Sequence, residues 1–335
     1  MHTSTLPSWL QSWRCGLMAA CLAAGVGSLG LAQAQTYPDR AISMVIPFSP
    51  GGGTDVLGRI TSEPLARELG QSIVVENRGG AAGAIGTSVI TKADPDGYRL
   101  LFTAMAPVTV APNMPGTSVP YDPQKDMVPI AMVARQPVLL VVNAKLPVAS
   151  LDEFIEHSKS NSEGLAIGSA GAGTDMHLIG EQLKLATGAN MLHVPYKGGG
   201  AAINDLIAGH IDAMVVVTSS ILPHIQSGFV KPLLTFDGER LPILPDVPTV
   251  AELGYPEVEG DSRWAMFGPP GLSPDVVDTV GAALQRVIAD DRYRARMEEL
   301  GVVPVYGDAE ALSGYVNDEL VKWRKVVEAA GLKPE

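Results

Sequence analysis

The sequence predicts an α/β fold of two lobes, each a mainly parallel sheet flanked by helices. Three observations predict it. From residue 42 onward, short apolar runs alternate with stretches of helical periodicity, the pattern of repeated strand–helix–strand units. Glycine-rich turns recur where an apolar run gives way to a helix, at 51–53, 168–173 and 198–200. Once an N-terminal export segment is set aside, roughly 300 residues remain, more than a single hydrophobic core usually serves.

The export segment comes first. Arg14 precedes an apolar stretch from Cys15 to Leu31 that ends in Ala32-Gln33-Ala34, the anatomy of a secretory signal with cleavage expected after Ala34. Lipid attachment at Cys21 would leave too short an apolar run after Arg14. Both cysteines, Cys15 and Cys21, fall inside this segment, so the mature chain is expected to form no disulfide and to use no thiol chemistry. Removing Arg14 moves the formal charge from −12 to −13, which argues against a nucleic acid partner. No later apolar run reaches the ~20 residues of a membrane-spanning helix.

The first strand is Ile42-Ser43-Met44-Val45-Ile46, closed by Pro47. Phe48-Ser49-Pro50-Gly51-Gly52-Gly53-Thr54-Asp55 follows, and Val56, Leu57, Ile60 and Leu65 then recur at helical spacing. Glycines let a ligand approach backbone amides directly, and Thr and Asp are N-cap types. Unpaired amides and the positive end of a helix dipole would converge there, a site for an anion that needs no arginine. An ordinary strand-to-helix turn fits this stretch alone equally well. A second strand over 73–75, a small-residue loop over 79–86, a helix over 87–92, a turn at 94–97 and a third strand over 98–103 complete the parallel unit. Residues 106–129 are proline-rich and aperiodic. Two short apolar runs within 130–142, separated by Arg135-Gln136-Pro137, predict the first crossing between lobes.

The second lobe opens with a helix over 151–158, capped by Ser150 with Glu153 three residues on, a capping box. A strand over 165–167 then feeds Gly168-Ser169-Ala170-Gly171-Ala172-Gly173-Thr174-Asp175 and a helix whose Met176, Ile179, Leu183 and Ala186 share one stripe until Gly188. A strand over 192–196, the turn Lys197-Gly198-Gly199-Gly200 and a helix over 201–208 repeat the arrangement. A strand over 211–217 ends in Thr218-Ser219-Ser220. Residues 232–236 predict the return crossing, and helices over 274–289, 291–300 and 309–330 predict packing elements of the first lobe.

Enzyme motifs fail residue by residue. A dinucleotide fingerprint from Gly51 would need glycine at Val56, and one from Gly171 would need it at Met176. Lys197-Gly198 has the wrong order for a P-loop, and Ile167-Gly168-Ser169-Ala170-Gly171 lacks the first glycine of a nucleophile elbow. His157, His177, His193, His210 and His224 offer no pair at i, i+4 with a carboxylate between, so no zinc signature is present. A hydrolase built on Ser169 or His193 lacks a nucleophile–base signature. Asp94 and Asp96 flank Pro95 and Gly97 as turn residues. What remains is the repetition of strand, glycine turn and helix. Ligands of open α/β sheets bind beyond the carboxyl ends of strands, so turns from two lobes could face one another across a cleft.

Taken together, Pro47 through Asp55, Val75-Glu76-Asn77-Arg78, Asp96-Gly97-Tyr98, His193-Val194-Pro195-Tyr196-Lys197-Gly198, Asp205-Leu206 and Pro245-Asp246-Val247-Pro248-Thr249 resemble the substrate-binding receptors of tripartite tricarboxylate transporters, the Bug family. The likeness covers nearly the whole chain after the export segment. It implies a two-lobed periplasmic binding protein, a clamshell that captures a small carboxylate, either a dicarboxylate or an aromatic carboxylate, and delivers it to the membrane permease subunits of a tripartite transporter. It implies no catalysis, cofactor or metal, and a soluble, monomeric mature protein. A periplasmic sensor subunit docking on a membrane signalling partner is the alternative. Lobe 1 would comprise 35–138 with 235–335, and lobe 2 139–234. Carried over by motif, the ligand contacts are Phe48, Ser49, Pro50, Gly51, Gly52, Gly53, Thr54 and Asp55, closed upon by Ser169, Ala170, Gly173, Thr174 and Asp175, with Lys197 and Gly198 also matching. Two stretches depart from the family pattern: Gly79 stands where proline is common, and Thr103-Ala104-Met105-Ala106 is apolar, which would favour a ligand with an apolar or aromatic body.

Overall fold

A computed structural model describes residues 37–332, apart from Ser118 and Lys197. The expected export segment 1–34, with Cys15, Cys21 and its cleavage site, and the expected ligand contact at Lys197 lie outside the described residues. The architecture is that of the compact unit that begins at Arg40.

Each half of this unit is built on a parallel trio. In the first, β1 (Ile42–Ile46) pairs in parallel with β2 (Ile73–Asn77) and β3 (Arg99–Ala104). In the second, β5 (Leu165–Ser169) pairs in parallel with β6 (Met191–Pro195) and β7 (Ala213–Val217). These strands are short and largely apolar, as crossover connections through helices require. The crossovers are α1 (Gly53–Leu69) and α2 (Ala84–Ile90) in the first half, then α4 (Asp175–Thr187) and α5 (Gly199–Ala208) in the second, with α3 (Leu151–Ser160) leading into β5. A Cβ at Gly86 would stand 2.6 Å from Pro47 Cα and closer still to Arg78 O. The small-residue loop is therefore what lets α2 lie against the end of β1.

Joining the halves is β4 (Val128–Asn143), a strand of 16 residues. Its first part pairs antiparallel with β9 (Asp261–Gly268) and β10 (Val303–Gly307), and its second part with β7 and β8 (Val230–Thr235). The sheet order is β2-β1-β3-β9-β4-β7-β5-β6, with β8 and β10 also on β4. The expected pair of apolar runs is thus one strand, and its interruption at Arg135-Gln136-Pro137 marks where it changes partners. The polar residues there are paired: Arg135 with Asp237 just past β8, and Gln136 Nε2 with Ser219 Oγ. Thr218 Oγ1 donates to Pro137 O at 2.9 Å.

Several elements differ from expectation: strand β10 and the helix over 218–226 had no counterpart in the sequence reading, and two further differences matter more. Residues 261–268 carried no strand prediction, yet β9 is central, between β3 and β4. Its polar start is satisfied partly within the strand, Arg263 Nε donating to Asp261 Oδ1 at 2.7 Å, and partly across the fold, the guanidinium lying over the Tyr315 ring. The C-terminal helix α9 (Ala309–Ala330) was expected to pack on the first lobe only. Its 22 residues span about 33 Å, and it serves both halves. Leu312, Val316 and Leu320 join the core of Val45, Leu101 and Phe267, while Trp323 and Val326 join that of Val138, Leu140 and Ile179. The remaining helices are α6 (Thr218–Gln226), α7 (Pro274–Ala289) and α8 (Asp291–Glu298), with α7 packed on α1.

Candidate functional site

The loop after β1 is shaped by one buried carboxylate. Gly51 has φ +81°, a backbone region that side-chain-bearing residues avoid. Its N–H donates to Asp55 Oδ2 at 2.8 Å. Asp55 Oδ1 accepts from Arg59 Nε at 3.0 Å and from Asn77 Nδ2 at 2.9 Å, and Asn77 Nδ2 also reaches Phe48 O at 3.1 Å. Burial would raise the Asp55 pKa, but the hydrogen bonds from Arg59, Gly51 and Asn77 outweigh it and hold the carboxyl below its ordinary value. Asp55 is 3% exposed. It braces the loop, and its charge is matched by Arg59.

Helix α1 begins two residues earlier than a cap at Thr54 would place it. Gly52 is the N-cap and has no side chain to cap with, while Thr54 Oγ1 is taken by Trp264 Nε1 at 3.0 Å. Among the described residues, the N–H groups of Gly52, Gly53 and Thr54 have no acceptor. A Cβ at Gly53 would meet nothing within 4 Å. Three amides and the positive end of a 17-residue helix therefore face open space, an anion-accepting arrangement.

Of the three residues, Gly53 lines a cavity of about 480 Å³. Gly51, Gly53, Val56 and Leu57 line it from the first half, and Ser219, Leu222, Pro223 and Gln226 from α6. Gln136 of β4, Trp264 of β9, Ile243 and residues 298–302 complete it. It lies beyond the carboxyl ends of β1 and β7, where the sheet changes partners, the position favoured for ligands in open α/β sheets. Ser219 Oγ accepts from Gln136, which leaves its own proton free to donate. Sequence reasoning missed Gln136, Ser219 and Trp264. Thr218-Ser219-Ser220 was a findable signal, a run of cap-type residues ending a strand, but without glycine it did not stand out.

The turn over 168–175 is not part of this cavity. Gly171 N–H donates to Ser169 Oγ at 3.2 Å, Gly173 N–H to His177 Nδ1 at 3.2 Å, and Thr174 Oγ1 caps α4 by accepting from His177 N–H at 3.3 Å. Asp175 is buried, and burial raises its pKa. Ser169 and Thr174 thus satisfy amides that are open in the first loop. The third turn resembles the first: Gly198 caps α5 without a side chain, and a Cβ at Gly198, Gly199 or Gly200 would meet nothing within 4 Å. It too lies outside the 480 Å³ cavity.

Adjacent strands do bring Ser169 and His193 together, with Oγ 2.6 Å from Nε2. Ser169 is 1% exposed, and the cavity beside the pair, of about 10 Å³, holds at most a water. A substrate carbonyl has no room there. His193 stacks on His177 with ring centroids 3.7 Å apart. Burial lowers the His193 pKa to about 4, and burial with the neighbouring His193 lowers that of His177 to about 3. Below the ordinary histidine value near 6.5 the unfolded chain binds protons that the folded chain refuses, so stability falls with pH by up to about 1.4 kcal/mol per unit for each ring. Two other titratable groups face the pair, Lys184 and Glu181; the pKa of Glu181 is raised by burial, which opposes the trend only at the acid end. Replacing both rings (H177Q with H193Q) is expected to flatten the melting temperature against pH between 6.5 and 4.5; an unchanged slope would refute neutral burial of the pair.

Comparisons with known proteins bear on the family of the chain. A family model described as tripartite tricarboxylate transporter family receptor matches residues 57–332. Protein BugT of Bordetella pertussis (strain Tohama I) is 37% identical over 302 residues, covering 90% of this chain and 92% of that protein. The structure of the periplasmic binding protein BugD is 35% identical with a TM-score of 0.76, over 89% of this chain and 99% of BugD. The structure of Rhodopseudomonas palustris Rpa4515 with adipate is 30% identical with a TM-score of 0.79, over 89% of this chain and 100% of that one.

Proposed function

Because the chain belongs to the tripartite tricarboxylate transporter receptor family, we propose that it is a periplasmic solute-binding protein that captures a small carboxylate and hands it to the permease subunits of a tripartite transporter. The observation that carries this reading is the set of open amides at Gly52, Gly53 and Thr54, at a cavity that Gln136 and Ser219 also line. Gly52, Gly53 and Thr54 hold the carboxylate, and Phe48, Ser49, Pro50, Gly51 and Asp55 shape the loop that presents them. The partner across the cavity is Ser219; Ser169, Gly173 and Thr174 are hydrogen-bonded within their own turn, which lies outside the cavity. Lobes of 35–138 with 235–335 and of 139–234 move about the point where β4 changes partners.

A carboxylate on α1 that also accepts from Ser219 bridges the two halves. It favours a closed arrangement only through contacts that the open one lacks. Hydrogen bonds to a charged group contribute about 1.5–3 kcal/mol each, and a micromolar complex needs about 8 kcal/mol net of the entropy of binding. Three amides fall short alone, so the body of the ligand must bury apolar surface as well.

Thermal unfolding of the purified protein against mono-, di- and aromatic carboxylates tests the reading. At a hundredfold excess over its dissociation constant, a true ligand stabilises by about 2.7 kcal/mol, several degrees in melting temperature. Failure of every carboxylate to raise it would refute the function.

A further inference from the structure

The cavity beside α1 is chemically lopsided. On the side of the first loop it is lined by Gly53, whose amide is open and lies between the open amides of Gly52 and Thr54. Among the described residues that line the rest, none is arginine, lysine or histidine, and the charged ones are Glu298 and Glu299. Glu299 is paired with Arg296, Oε2 to NH1 at 2.7 Å. Glu298, at the end of α8, is exposed, has no ion-pair partner among the described residues and also lines the cavity. The neutral part of the lining mixes Val56, Leu57, Leu222, Ile243 and Val302 with the polar Gln136, Ser219 and Gln226. A second cavity of about 410 Å³ shares Ile243, Glu298, Gly301 and Val302 with the first and adds Leu241 and Pro242, so the apolar surface runs on past the first loop.

Resting on the carboxylate reading above, we propose that the ligand is a monocarboxylate with an apolar body, and that Glu298 is the residue that rejects a second carboxylate. The body lies along Val56, Leu57 and Ile243 toward Val302, where burial of apolar surface supplies the affinity that three amides cannot. A dicarboxylate of the same length would bring its far end, with no cation to pair with, toward the like charge of Glu298, the repulsive kind of element that discriminates between ligands.

Matched pairs that differ by one carboxylate test this by isothermal titration of the full protein at pH 7.5 and low salt: hexanoate against adipate, and benzoate against terephthalate. The expected result is binding of each monocarboxylate at least tenfold tighter than its partner. Glu298→Gln, which removes an anion from a helix C-terminus and so does not endanger folding, is expected to raise dicarboxylate affinity at least fivefold relative to monocarboxylate affinity. A dicarboxylate that binds as tightly as its partner, or a ratio unmoved by the substitution, overturns this proposal and leaves the carboxylate reading standing. Binding of none of the four overturns the carboxylate reading, and this proposal with it.

Discussion

Replacing Gly53 by valine is expected to abolish carboxylate binding, at least a hundredfold in affinity, with a melting temperature equal to or slightly above that of the parent. Gly53 is the first residue of α1 and lines the cavity. A Cβ there meets no atom within 4 Å, so the side chain projects where the ligand would lie and covers the amides of residues 52–54. Glycine at a helical position costs conformational entropy that most other residues recover. Affinity and stability should therefore move independently, which a merely misfolded variant would not show. Gly53→Ala, with one methyl in the same space, should fall between. Calorimetric titration with the best carboxylate gives the answer, and affinity within threefold of the parent would remove the first loop from the site.

Asp55→Ala should lose both stability and binding. The carboxylate accepts from Gly51 N–H, Arg59 and Asn77, and its removal leaves a backbone amide and an amide side chain without their acceptor. Since Asp55 is buried but Arg59 is half-exposed, the expected loss is about 2–3 kcal/mol. The pH dependence follows from its lowered pKa. The contribution is fully present above the ordinary aspartate value near 3.8 and is lost as pH falls through the lower folded value, so variant and parent should converge below that value in denaturant titrations. Undiminished stability at neutral pH would mean that Asp55 does not brace the loop.

These two residues also show what the sequence could reveal. Two turns contain Gly-Thr-Asp before a helix, at 53–55 and 173–175, and both read as cradles. In the second, Thr174 is the N-cap and supplies the missing acceptor. In the first, the helix starts at Gly53, Thr54 is drawn to Trp264, and the cap position falls on a glycine with nothing to offer. A shift of two residues in helix start separates a capped turn from one with open amides, and the hydroxyl that would have capped it is held by Trp264, 210 residues away. The parallel trios were legible because their strands are short, apolar and bounded by glycine or proline. Strand β9 was not, because the partners of Ser262 and Arg263 come only with the fold. Helix α9 showed its amphipathic stripe but not that its length carries it across both halves. Gln136 was invisible as a candidate site residue and Ser219 was marked only by a run of cap-type residues: what brings both to the cavity is the point where β4 changes partners, a property of topology.

The central claim is that a carboxylate sits at the N-terminus of α1, opposite Ser219. A crystal structure of the protein with hexanoate or benzoate tests it most directly. The account predicts a carboxylate oxygen within about 3 Å of the amide nitrogens of Gly52–Thr54, with the apolar body along Ile243. A carboxylate held instead at Ser169–Asp175 or at Gly198, with the amides of the first loop facing only water, would contradict it.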